Sequence, residues 1–141
     1  MLAALLLAAA DPVPPTPAAE RSAVAAVKVV RAYYAAVSRH DYRAAHAIWS
    51  GERGVAALAR GYARTARVAV TPIPPFTTDP GCGQVYSEVK VEVNAVLRDG
   101  TRQRFRGSYV LHRVNDIDGS TASQRRWHIA SAHLREVPAG G

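Results

Sequence analysis

The sequence predicts an α+β fold, in which N-terminal helices cover one face of an antiparallel sheet of about four strands. In residues 18–62 apolar side chains recur every three or four positions, as they do on the buried face of a helix. From residue 84 onward apolar and polar residues alternate, which is typical of half-buried strands. Because the helices come first and the strands follow, the helices must pack on the sheet.

The clearest alternation lies in residues 84–114, which we interpret as a long hairpin. Odd positions from Val85 to Leu97 are apolar except Ser87, and the following run keeps Phe105 and Tyr109 on one parity. The other parity of that run carries arginines. One face of the hairpin is therefore expected in the core and the other in water.

The hairpin register depends on the turn. A three-residue turn, Arg98-Asp99-Gly100 with a left-handed Gly100, pairs Val93 with Phe105 and Glu92 with Arg106. A two-residue turn would instead place Arg106 opposite Val93, on the apolar face. Burial of each valine stabilises by about 1.5–3 kcal/mol, so we predict the three-residue turn.

Three helices are predicted before the sheet, over residues 17–38, 42–49 and 52–62. Thr16 is a suitable N-cap for the first, and Asp41 for the second. The apolar face of the first helix includes Val27, Val30 and Tyr34.

The remaining strands are predicted over residues 66–71 and 126–137. The first is expected to stop at Pro72, and residues 72–83, rich in proline, form an irregular connection. In the last strand Trp127, Ile129 and His133 share one parity, whereas Ala132 and Leu134 share the other.

The chain ends are expected to lie outside the folded domain. Residues 1–10 form an apolar run with a small-residue end, typical of a secretory signal but without a basic leader. Residues 11–17 form a proline-rich linker, residues 18–137 a single domain and residues 138–141 a tail. We therefore expect an exported protein, periplasmic or extracellular, with no membrane-spanning segment in the mature chain.

The charge indicates a basic surface rather than a nucleic-acid site. The net charge is +7, and all but two of the 18 basic residues are arginines. They are scattered apart from the row Arg102, Arg104, Arg106, and no aromatic residues interleave that row as base stacking would require. Cys82 is the single cysteine, which excludes a disulfide framework.

Four segments resemble the NTF2-like (SnoaL-like, cystatin-like cone) superfamily. They are Ala32-Tyr33-Tyr34-Ala35-Ala36-Val37, His40-Asp41-Tyr42-Arg43-Ala44-Ala45, Phe105-Arg106-Gly107-Ser108-Tyr109 and Trp127-His128-Ile129. The resemblance covers about residues 18–137. It implies a strongly curved sheet wrapped around a long helix, forming a cone with an internal pocket. Enzymes of this superfamily place an Asp, His or Tyr in that pocket as acid or base.

Few residues on the predicted inward faces could do such chemistry. The residues expected to line a pocket are Tyr34, Trp49, Val91, Phe105, Tyr109 and Trp127. The weak catalytic candidates are His133, which could enter the cone if no bulge intervenes, together with Tyr109 or Tyr34. No His spacing suits a metal, and no phosphate or dinucleotide motif occurs, so we expect neither metal nor cofactor.

Two hypotheses of function follow. The favoured one is a non-enzymatic exported domain that binds a small apolar ligand or a partner protein in the cell envelope. The alternative is a small isomerase, dehydratase or cyclase that uses His133 with Tyr109 or Tyr34 as acid and base.

Overall fold

A computed structural model describes residues 17–50, 54–80, 83–115 and 117–139 of the chain. The predicted N-terminal signal and linker lie outside the described residues, apart from Pro17. The elements in chain order are α1 (Pro17–Ser38), α2 (Tyr42–Ile48), α3 (Val55–Gly61), β1 (Thr65–Ile73), β2 (Asp79–Pro80), β3 (Gln84–Leu97), β4 (Arg102–Val114) and β5 (His128–Val137).

The predicted α+β arrangement is confirmed. The strands form a curved, open antiparallel sheet in the order β1-β3-β4-β5, and β2 pairs with the start of β3. The three helices pack on its concave face, where α1 buries Val30 and Tyr33 against Val89, Leu111 and Ile129. No helix among the described residues is both long and apolar enough to cross a membrane.

The predicted hairpin register is confirmed pair by pair. Val93 faces Phe105, Glu92 faces Arg106, and the Leu97 N–H donates to the Thr101 carbonyl at 2.8 Å. Gly100 closes the turn with a φ of +89°, which glycine adopts without a steric penalty.

Ser87, the exception in the alternation, is buried with its hydroxyl satisfied. It faces the concave side, and its Oγ donates to the Thr77 carbonyl at 2.8 Å. The polar residue therefore anchors the connection that follows β1.

The helix predictions are correct in number and close in their bounds. Asp41 caps α2 as predicted, because its Oδ1 accepts the Ala44 N–H at 3.1 Å. The third helix begins at Val55 and ends at Gly61, one residue before the predicted end. The predicted start of that helix, Glu52, lies outside the described residues.

The first strand and the connection after it differ from the prediction. β1 continues through Pro72 to Ile73, and the connection contains the two-residue strand β2. Pro72 pairs with Val91 and is buried. A proline is tolerated there because β1 is an edge strand, which does not need every N–H for the ladder.

The last strand contains a bulge that the alternation does not show. Leu111 pairs with Ile129 but Val110 pairs with Ser131, so Ala130 has no partner on β4. The Ile129 carbonyl accepts the Ser50 N–H at 2.9 Å, a contact that ties the end of α2 to β5. Beyond the bulge the parity is reversed, and Ala132 and Leu134 join Trp127 and Ile129 on the inner side.

Gly107 of β4 pairs with Leu134 of β5. A Cβ at this position would lie 1.8 Å from the His133 carbonyl oxygen and 2.9 Å from the Leu134 Cα. Since only glycine fits so close an approach of backbone, the observed pairing of β4 with β5 requires glycine at position 107.

Candidate functional site

The curved sheet and the helices border a half-open cavity of about 330 Å³, which we call the inner cavity. It lies between the second half of α1, α3 and the concave side of all four long strands. Its lining consists of Tyr33, Tyr34, Ala57, Leu58, Gly61, Tyr62, Thr65, Val68, Val93, Ala95, Gln103, Phe105 and Leu134.

Three of the residues that line the inner cavity are tyrosines: Tyr33, Tyr34 and Tyr62. The hydroxyls of Tyr33 and Tyr62 lie 3.2 Å apart, and those of Tyr34 and Tyr109 form a short hydrogen bond. The rings of Tyr33 and Tyr34 meet edge to face with centroids 5.1 Å apart. Trp49 packs behind them against Tyr33 and Tyr109. These contacts hold the phenols in fixed positions.

Two phenols of this cluster, those of Tyr34 and Tyr62, stay protonated far above neutral pH. Burial, together with the neighbouring Tyr109, raises the pKa of the Tyr34 phenol well above its usual value. Burial and Tyr33 raise the pKa of Tyr62 in the same direction. These two phenols are therefore neutral hydrogen-bonding groups rather than bases.

The inner cavity carries no charge among its described lining residues. Its further polar side chains are Thr65 and Gln103, which are neutral, and the remaining wall is aliphatic or aromatic. No cluster of three or more His, Cys, Asp or Glu side chains that could hold a metal occurs in the part of the chain that the structure describes.

Comparison with known proteins reveals similarity in structure alone. No family model matches the chain, and no curated protein matches its sequence. A conserved protein from Planctomyces limnophilus DSM 3776 superposes with a TM-score of 0.59 at 11% identity, over 83% of this chain and 98% of that one.

Two further solved structures superpose over a similar span. One is a nuclear transport factor 2 (NTF2-like) superfamily protein from Salmonella enterica serovar Typhimurium LT2, with a TM-score of 0.56 at 13% identity, over 85% of this chain and 96% of that one. The chain has the NTF2-like fold. The other is named as a candidate aromatic ring hydroxylase, from Novosphingobium aromaticivorans, and has a TM-score of 0.58 at 15% identity over 83% and 94% of the two chains.

The residues expected to line the pocket of this NTF2-like fold lie in three places. Tyr34 and Phe105 line the inner cavity. Val91, Tyr109 and Trp49 belong to the core behind it. Trp127 lines a separate groove on the other side of α1.

His133 lies outside the NTF2-like cone. The expectation that it could share the inner side with Ile129 required a strand without a bulge, and the bulge at Ala130 reverses its direction. Its side chain is exposed on the convex face, opposite Ser108. The structure therefore brings Tyr34 and Tyr109 together but leaves His133 apart from both.

Several cavity residues were absent from the sequence-based list. Gln103 shares the parity of Phe105, so the alternation alone could have identified it. Tyr33 and Tyr34 are both buried. The curved sheet covers a face of α1 that is wider than the single apolar stripe predicted from the sequence. Leu134 reaches the cavity because of the bulge, for which the sequence has no evident signal.

Proposed function

We propose that this chain is a non-enzymatic binding protein whose inner cavity holds a small, uncharged and mainly apolar ligand. The observation that carries the proposal is a cavity of about 330 Å³ with aliphatic and phenolic walls and no charged lining residue among those described. This volume is near the lower end of the range for small-molecule pockets. A half-open pocket of that size, with a concave wall, favours a small ligand over a partner protein in the cell envelope.

The chemistry of the walls supports an uncharged ligand that carries one or two oxygen or nitrogen atoms. A carboxylate or ammonium group would lose its water without finding an opposite charge, which costs several kcal/mol. A carbonyl or hydroxyl group could instead exchange hydrogen bonds with Tyr62, Thr65 or Gln103 at the wall.

The same walls favour binding over catalysis. A general acid or base works best when its pKa lies near the operating pH. Burial moves the pKa of Tyr34 further from neutrality, and the described lining contains no imidazole or carboxylate. The isomerase, dehydratase or cyclase alternative would thus need an acid or base other than those named here.

A plugging experiment tests the proposal with N-phenyl-1-naphthylamine, an uncharged fluorophore. Gly61 lines the cavity, and a Cβ on it meets no heavy atom within 4 Å, so the first carbon of the Gly61→Phe side chain causes no clash. Ala57→Phe adds one from the previous turn of α3. We expect saturable one-to-one binding of the fluorophore to the wild type and its loss in both variants.

The matched control is Ala63→Phe, which places the same ring on an exposed residue just after α3. It should bind the fluorophore as the wild type does, and circular dichroism should show that all three variants are folded. Unchanged binding in both plugged variants would overturn the proposal. Turnover of an uncharged substrate that stops on mutation of one cavity residue would favour an enzyme.

We also propose that the protein is exported to the periplasm or the medium. The support is the apolar run of residues 1–10, which ends in three alanines before Asp11. Mass spectrometry of the chain recovered from a producing bacterium should find a mature start at or near Asp11. A cytoplasmic product that keeps residues 1–10 would contradict export.

A further inference from the structure

A second depression, lined by arginines, lies on the opposite side of α1 from the inner cavity. Its volume is about 670 Å³, and it shares no lining residue with the inner cavity. We call it the arginine groove; its lining consists of Ser22, Ala25, Val29, Ala32, Ala47, Ile48, Arg113, Arg125, Arg126, Trp127 and His128.

The groove combines an apolar floor with a cationic rim. The floor is formed by small and aliphatic residues of α1 and α2 together with the Trp127 ring. The rim has three arginines from the end of β4 and the segment before β5. No acidic side chain is among the described residues that line it. Such a surface complements a molecule that is apolar at one end and anionic at the other.

Arg113 is an exception to the alternation of β4, because it is a charged residue at a position where the strand turns toward the core. It has the parity of Tyr109 and Leu111, which both lie buried on the concave face. An apolar residue is expected there, yet the chain holds a half-buried guanidinium. Partial burial of a cation costs free energy unless the cation is paired, and an anion bound in the groove would supply that pair.

The guanidinium of Arg113 is held in place but not neutralised. Its Cζ lies 5.3 Å from the centre of the Trp127 ring, and Nη2 donates to the Ser22 hydroxyl at 3.4 Å. Nη1 donates to the Val114 carbonyl at 3.5 Å. Arg113 makes no ion pair within the described part of the chain. The Trp127 face therefore orients a charge that has N–H groups to offer an anion.

The neighbouring arginines extend the cationic rim. Arg125 is oriented by the Ser120 backbone carbonyl, to which its Nη1 donates at 2.7 Å. Arg126 is exposed, and its own carbonyl lies 3.0 Å from His128 Nδ1. The rim can thus surround one small anionic group from two directions.

From this geometry we propose that the arginine groove binds a single-chain amphiphile with one carboxylate or phosphate group. The anionic group would accept hydrogen bonds from Arg113 and Arg126. The apolar chain would lie on Val29, Ile48 and the Trp127 ring. The volume is within the range of small-molecule sites.

Isothermal titration calorimetry with dodecanoate, below its micellar concentration, tests the proposal. We expect one-to-one binding that weakens as salt is raised, because exposed charge contacts are screened. Arg113→Gln should weaken binding about tenfold to a hundredfold, since hydrogen bonds to charged groups are among the strongest single contacts. Arg126→Gln, at an exposed residue, should weaken it less and leave the fold unchanged.

The matched control is Arg102→Gln, which removes the same charge from an exposed residue of the same strand, outside the groove. It should bind dodecanoate as the wild type does. The Gly61→Phe plug should leave dodecanoate binding intact, which separates this site from the inner cavity. Dodecyl phosphate in place of dodecanoate distinguishes the two anionic groups.

Four results would overturn the proposal. They are equal affinity for the uncharged dodecanol, equal affinity for inorganic phosphate, tighter binding of hexaglutamate than of dodecanoate, and equal loss of affinity in Arg102→Gln. The first would indicate a purely apolar groove, the second a simple anion site and the third a site for acidic peptides. The fourth would indicate attraction by net charge alone.

Discussion

The two faces of the sheet are stabilised by different forces. On the concave face Val91, Val93 and Tyr109 are almost completely buried and pack against α1. On the convex face Glu92 lies between two arginines, with Oε1 3.0 Å from Arg104 Nε and Oε2 3.4 Å from Arg106 Nη2. One face depends on shape and burial, whereas the other depends on charges that water and salt screen.

This difference determines what each face can do and what disturbs it. The concave face is closely packed around a neutral cavity, and adding or removing one methyl group there changes the stability of the fold. The convex face tolerates polar substitution and carries most of the exposed arginines of β4. Substitutions on the concave face should therefore change stability through packing and burial. Substitutions on the convex face should change it through charge, and by an amount that depends on salt concentration.

The largest effect is expected from Gly107→Ala. The added Cβ would collide with backbone of β5 rather than with a flexible side chain, so the strands must separate. We expect a loss of about 3 kcal/mol or more in the free energy of unfolding, measured by urea denaturation, because overpacking against backbone is among the costlier core changes.

Gly61→Ala is the control for that variant. A Cβ there meets no heavy atom within 4 Å, and alanine favours a helix by up to about 1 kcal/mol over glycine. Its stability should equal or exceed that of the wild type. If Gly107→Ala were equally harmless, the close approach of β5 to β4 would not be a requirement of the fold.

The same glycine shows how far the sequence could predict this structure. The alternation of β3 and β4 predicts every pair of the hairpin, because a shift of one residue would move arginines into the core. It predicts nothing about Gly107, whose role depends on a strand more than 20 residues away in sequence. The alternation within β3 and β4 determines the register of the hairpin. It does not determine how closely β5 approaches Gly107.

The candidate site was predictable to the same extent. Tyr34 and Phe105 followed from periodicity alone. The inward turn of Leu134 and the outward turn of His133 depend on the bulge at Ala130. One extra residue in the ladder reverses the parity of the rest of the strand, and the periodicity of the sequence does not reveal where that residue lies.

The second largest effect is expected at alkaline pH, where the buried Tyr34 of the concave face should lower the stability of the fold. The pKa of Tyr34 is raised in the folded state above its ordinary value of 10.0. Below pH 10 both states hold the proton and the contribution is fully present. Above pH 10 only the unfolded state releases it. Stability should then fall by about 1.4 kcal/mol per pH unit for this residue.

Urea unfolding at several values between pH 9 and 12 measures this slope. Tyr34→Phe should reduce it by about 1.4 kcal/mol per pH unit. The matched control is Tyr86→Phe, whose ring lies on the convex face and is 44% exposed. It is expected to keep the wild-type slope. An equal reduction in both variants would mean that burial of Tyr34 is not the cause.

The smallest effect is expected on the convex face, from Glu92→Gln. This change removes both ion pairs, to Arg104 and Arg106, whose side chains are 27% and 51% exposed. Pairs at the surface contribute about 0.2–1 kcal/mol each, so the loss of both should be at most about 2 kcal/mol at low salt. In 1 M NaCl, where screening acts over about 3 Å, most of the difference should disappear. Glu88→Gln is the control, because Glu88 lies on the same face and makes no ion pair in the described region. It should have almost no effect at either salt concentration.

A loss above about 2 kcal/mol that persists in 1 M NaCl would contradict this prediction. It would mean that Glu92 is needed to neutralise the arginine row, because only pairs shielded from water keep their strength in high salt.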